Sequence, residues 1–149
     1  YNIHEYTYNG GIMTRKEARE CAFTVLFEAG FDAAPDPVSH YETAIESRGM
    51  EEDPFVRDIV LGVKDHLDVI DETITKYADN WSKERISKVS IAVLRLACYE
   101  MFFREDIPLR VSLNEAIELV KKYDDEKAYA FVNGVLNAFM HDARAVGEK

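Results

Sequence analysis

Val89-Ser90-Ile91-Ala92-Val93-Leu94-Arg95-Leu96-Ala97-Cys98-Tyr99-Glu100-Met101-Phe102 is the stretch whose reading decides the fold. Its apolar residues do not alternate in the twos of a strand. Val89, Ala92, Val93, Leu96, Ala97, Cys98, Met101 and Phe102 recur at threes and fours, the spacing of a helix. They occupy more than one face. A helix from about Ser87 to Phe103 that is apolar on several sides is the central, most enclosed member of an all-α bundle.

Start and stop signals divide the chain on either side. Upstream, Thr14 and Glu17 make a capping box that opens a first helix, with Ala18, Ala22, Val25, Leu26 and Phe27 recurring along it and Gly30 ending it. Asp36-Pro37 starts a second, with Tyr41, Ala44 and Ile45 as its stripe and Gly49 as its stop. Asp53-Pro54 repeats the start signal. One long helix is expected after it, with Phe55, Ile59, Val60, Val63, Leu67, Ile70 and Ile74 on one face. Trp81 and a short turn around Ser82 to Ile86 lead into the central helix. Downstream, Ile107-Pro108 breaks that helix. Ser112 and Glu115 read as a second capping box, opening a helix through Tyr123. A last helix from about Glu126 to Met140 turns Phe131, Val132, Val135, Leu136 and Phe139 inward, and the tail after Asp142 is expected to be loose. The chain therefore reads as six or seven helices and no strand.

Length and composition fit this. The 149 residues, 47% hydrophobic, suit one domain with a real core. Residues 1–12 are tyrosine- and asparagine-rich and aperiodic, so they read as a tag or upstream extension, with Met13 as the natural start and 13–149 as a single helical domain. No apolar run reaches the roughly 18 residues that span a bilayer. No signal-peptide pattern is present, so a cytoplasmic protein without membrane contact is expected. Cys21 and Cys98 stand alone among apolar neighbours and read as reduced, buried thiols.

Catalytic and metal readings find little support. His4, His40, His66 and His141 are scattered, and no nucleophile–base set, Gly-rich phosphate loop or His-Glu-x-x-His occurs. Glu115 and Glu118 share a helix face, but bundle metal sites add Glu-x-x-His pairs that are missing here. No enzyme activity, metal or cofactor is expected. The net charge of −10 also disfavours simple nucleic-acid binding, which needs lysine and arginine against phosphate. Any RNA site has to be a local basic patch, and an acidic chain suits a basic protein partner.

Four strings, in order, carry a family resemblance. They are Arg19-Glu20-Cys21-Ala22 with Leu26-Phe27; Val93-Leu94-Arg95-Leu96-Ala97-Cys98-Tyr99-Glu100; Pro108 through Lys121 (PLRVSLNEAIELVK); and Phe131-Val132-Asn133-Gly134-Val135-Leu136. Over roughly Met13 to Phe139 the chain resembles the NusB family. The resemblance implies an all-helical RNA-binding fold. It further implies recognition of boxA-type single-stranded RNA as a heterodimer with NusE, a small-subunit ribosomal protein. The pair joins the RNA polymerase antitermination complex in ribosomal RNA transcription, and some family members form homodimers.

Site residues follow from that resemblance and from physics. Arg15, Lys16 and Arg19 lie three and four apart near a helix start and can share one exposed side. They read either as an RNA face or as a solvated one, and Glu17 interrupts the set. Phe27, Tyr123, Tyr129 and Phe131 are candidate stackers. Tyr123, at a helix end, is the best exposed of them, while Phe27 and Phe131 equally suit the core. Lys127, where relatives commonly carry an acidic residue, can strengthen phosphate contact. Asn133 reads as an RNA contact or as a bond to a neighbouring helix or loop, with Gly134 allowing close helix packing. Asp79, Trp81, Glu84 and Arg85 are the expected partner surface. Two other readings stay open: a protein-only interaction module, and the accessory domain of a ribosomal RNA cytosine methyltransferase, whose long catalytic domain this sequence does not contain.

Overall fold

The structure is a computed structural model. It describes residues 13–30, 36–78 and 86–145, the last three by backbone alone. The expected extension at 1–12 and the partner residues Asp79, Trp81, Glu84 and Arg85 lie outside the described residues. Among the described residues there are seven helices and no strand: α1 Arg15–Ala29, α2 Pro37–Arg48, α3 Pro54–Asp65, α4 Leu67–Tyr77, α5 Lys88–Phe103, α6 Leu109–Tyr123 and α7 Glu126–Ala145. The chain divides into two compact units, 1–65 and 66–149.

In the first unit, α1 and α2 each pack on α3 and on one another. The caps follow their signals. Thr14 Oγ1 accepts from the Glu17 N–H, and the Glu17 carboxylate accepts from the Thr14 N–H. Gly30, at φ 64°, ends α1 in a conformation costly for other residues. Asp36 caps α2 ahead of Pro37, and Asp53 caps α3 by accepting from Phe55 and Val56. Tyr41, wholly buried, has its hydroxyl satisfied by the Asp53 N–H at 3.0 Å. That bond ties α2 to the start of α3.

The second unit is arranged around α5. Every residue of α5 from Val89 to Met101 is buried except Ile91, which is half-buried. A helix enclosed this way needs partners for its polar side chains. Arg95 makes two 2.9 Å bonds to the Asp71 carboxylate on α4. Glu100, wholly buried, accepts from Ser112 Oγ on α6 at 3.2 Å.

Three expectations are corrected. The single long helix after Pro54 is two, α3 and α4, parted at His66, whose φ −116° and ψ 22° leave helical geometry. No glycine or proline marks the break; the His66 ring instead stacks on Phe103, with centroids 4.1 Å apart. Ser112 is not a cap: Pro108 starts α6 a turn earlier, and Ser112 faces inward to Glu100. The last helix continues past Asp142 to Ala145.

Both thiols are buried, and burial pushes each up to about 12 from 9.0. A raised thiol favours the neutral folded form. Its stabilising contribution is complete below pH 9 and declines as the pH climbs toward 12. Denaturant titrations at pH 8 and pH 10.5 should show a drop that is smaller in a C21A/C98A variant. Removing one partner of the enclosed ion pair costs more. Arg95→Ala should lower unfolding free energy by about 3–5 kcal/mol, and Arg95→Met by less, in urea titrations.

Candidate nucleic-acid interface

The cationic residues of the first unit sit on the first two turns of α1. Arg15 and Lys16 are exposed. The Arg15 guanidinium lies 4.3 Å from the centroid of the Phe55 ring, which restrains it while the residue stays open to solvent. Glu17 does not compete for the same space, because its carboxylate is used in the cap. Arg15 and Lys16 therefore present two positive charges beside a helix N-terminus whose backbone dipole also favours an anion.

Arg19 departs from expectation: it is 3% exposed. It shares the inward stripe of Ala22, Phe23 and Leu26, three, four and seven residues on, and its guanidinium lies over Phe55 at 5.4 Å. Four-residue spacing from Arg15 placed it on a common side, but α1 is buried over most of its circumference, and Arg19 falls within that arc. Phe27, half-buried, packs 6.0 Å from the enclosed Phe23.

In the second unit the candidates cluster at the α6–α7 elbow. Tyr123 is the second departure. It is buried at 7% exposure, because it continues the inward row of Ala116 and Val120 at seven and three residues' distance. It is no platform for a base. Lys127 is exposed, and Tyr129, Phe131 and Asn133 are half-buried. Lys127 and Phe131 are four apart, as are Tyr129 and Asn133, but residues two apart do not face each other on a helix. The four divide between two sides of α7.

Tyr129 lies in an open cavity of about 540 Å³ lined by Lys121, Asp124, Asp125 and Glu126. The Lys121 ammonium stands 5.2 Å from its ring centroid. Lys121 escaped the sequence reading; its position on the last turn of α6, directly before the elbow, was the available signal. Phe55, the platform under Arg15, was read only as core.

Asn133 and Gly134 are also corrected. Asn133 Oδ1 accepts from Asn137 Nδ2 at 2.9 Å, a partner on its own helix rather than a neighbouring one. Gly134 is exposed, and a Cβ built there meets nothing within 4 Å, so close packing does not explain it.

Among the described residues no three histidine, cysteine or acidic side chains group as a metal site, and no helix is long and apolar enough to cross a membrane. Seven helices in two units among the described residues, the first of them capped and cation-bearing, make this an all-α protein. The chain belongs to the NusB family, whose pattern matches residues 16–141. It is 48% identical over 132 residues to the transcription antitermination protein NusB of Bacillus subtilis, covering 87% of this chain and 97% of that one. T. maritima NusB superposes with a TM-score of 0.78 at 34% identity, over 89% of this chain and 94% of that one. A NusB chain from a structure of antitermination factors NusB and NusE in complex with double-stranded RNA superposes at 0.74 and 30%, over 86% and 96%. The reading of the chain as non-enzymatic stands on this kinship with antitermination factors.

An exposed helical glycine with open space around it is a site for stabilisation. Gly134→Ala should raise unfolding free energy by about 0.5–1 kcal/mol in urea titrations, since alanine restricts the unfolded chain and favours the helix.

Proposed function

We propose that this protein is a cytoplasmic antitermination factor that binds boxA-type single-stranded RNA together with NusE and acts on RNA polymerase during ribosomal RNA transcription. The observation that carries the RNA reading is the exposed Arg15–Lys16 pair at the capped start of α1. Kinship with a NusB solved with NusE and double-stranded RNA supports the partnership. RNA sequence is read on unstacked bases, with cations holding phosphates. Arg15 and Lys16 supply such cations in the first unit; Lys121 and Tyr129 supply a cationic and aromatic pair in the second, with Lys127 exposed on the other side of α7.

A net charge of −10 leaves little general attraction for phosphate. A basic partner offsets that repulsion, so binding by the pair should exceed binding by this chain alone. The burial of Arg19 thins the cationic set and favours one second reading, a protein-only interaction module.

A gel shift with boxA-like RNA, with and without recombinant NusE, tests the proposal. The pair should shift the RNA more tightly than either protein. Reversing Arg15 and Lys16 to glutamate should weaken the shift by tenfold or more and flatten the log–log salt dependence by about 1.4, roughly 0.7 per lost phosphate contact. Arg19→Gln should leave that slope unchanged. An unaltered slope after reversal of Arg15 and Lys16 sinks the interface, and absence of any RNA shift with the partner present favours the protein-only module.

A further inference from the structure

The second unit carries exposed apolar residues outside the cationic set at its α6–α7 elbow. Val69 is 46% exposed and Phe103 39%. His66 is exposed as well. Its ring stacks on Phe103 at 4.1 Å, and Val69 stands on the first turn of α4, three residues after it. Tyr99 and Phe102 support Phe103 from within α5, at 5.3 and 5.7 Å between centroids. An isolated exposed valine needs no explanation. A backed and stacked aromatic, with a second exposed apolar residue on the first turn of the helix that His66 opens, is instead a preformed anchor surface.

The charges around it have one dominant sign. Asp68 and Glu72 flank Val69 on α4 at one and three residues' distance, and Glu105 follows Phe103 at the end of α5. All three are exposed and none joins an ion pair among the described residues. Arg104, the nearest cation along α5, is engaged by Asp106 through two bonds of 2.8 and 2.9 Å. Lys76 lies two turns beyond Val69, over the Tyr77 ring.

We propose that His66, Val69 and Phe103 dock a basic polypeptide segment of a partner protein, one that lays an apolar or arginine side chain across Phe103 and directs cations to Asp68, Glu72 and Glu105. Arginine suits both requirements, since its stem covers apolar surface, its guanidinium stacks on aromatic rings, and its fork pairs with carboxylates. The acidic rim opposes RNA, whose phosphates it repels. It opposes a second copy of this chain as well, because two such faces would set carboxylates against carboxylates. The patch lies at the N-terminal end of α4, whereas Asp79 to Arg85 follow its C-terminal end, eleven residues on. It is therefore distinct in sequence from the partner segment expected at Asp79 to Arg85.

The test uses the full chain and a fluorescently labelled synthetic peptide alternating leucine with arginine and lysine, read by anisotropy. Glu72→Lys/Glu105→Lys and Phe103→Ser should each weaken binding about tenfold. Glu46→Lys/Glu51→Lys, which changes the same net charge at exposed positions of the first unit, should weaken it by less than about threefold. Circular dichroism checks folding, and the glutamate pair, being exposed, keeps the test decisive if Phe103→Ser unfolds. Retained boxA-RNA shifts in Glu72→Lys/Glu105→Lys would separate this surface from the RNA function. Equal losses in both charge variants, displacement of the peptide by single-stranded RNA, or a Phe103-dependent dimer in sedimentation would each overturn the proposal.

Discussion

Enclosure of α5 is the constraint on which the second unit depends. A helix enclosed over most of its length cannot leave a buried charge or hydroxyl unanswered, because the desolvation cost of an unpaired buried ion runs to several kcal/mol. Arg95 and Glu100 therefore dictate what faces them. Asp71 must stand on α4 at the height of Arg95, and Ser112 must point inward from α6 at the height of Glu100. These two pairings fix the registers of α4 and α6 against the central helix more narrowly than apolar packing alone, which tolerates small slides between similar side chains.

The same logic runs in the first unit on a smaller scale. Tyr41 is buried to its hydroxyl, and the hydroxyl finds the backbone at Asp53, whose carboxylate begins α3. One enclosed phenol thus links a helix interior to the start of the next helix. The cationic start of α1 rests on a similarly local device, the reciprocal bonds of Thr14 and Glu17. An acidic residue within a basic segment looked like an interruption of an RNA face. In the fold it completes the cap of the helix on which the cations stand.

What could be read from the chain divides along physical lines. Signals that act over three or four residues were legible: the cap at Thr14, the Asp-Pro starts, the glycine stops, the all-round apolar run of α5. Features set by distant partners were not. Ser112 carries the pattern of a cap, but Pro108 and buried Glu100 claim it for the core. Tyr123 stands at a helix end, where exposure is usual, yet completes an inward row. The pause at His66 has no breaker residue, and its ring contact with Phe103 lies thirty-seven positions away. At the candidate interface, Arg15, Lys16 and Lys127 were correctly seen as surface cations, while Arg19 was hidden by a helix buried over most of its girth. The kinship was legible because its strings include core residues whose spacing the fold depends on.

The two sealed thiols have a practical corollary. Sulfhydryls that are shut away and held protonated leave a native chain silent toward maleimide and iodoacetamide dyes under mild conditions. A cysteine introduced at an exposed position, such as that of Lys16 or Glu105, would then be the one reactive handle on an otherwise unmodified molecule. Distances to a labelled RNA or partner become measurable by energy transfer without first stripping cysteines from the core.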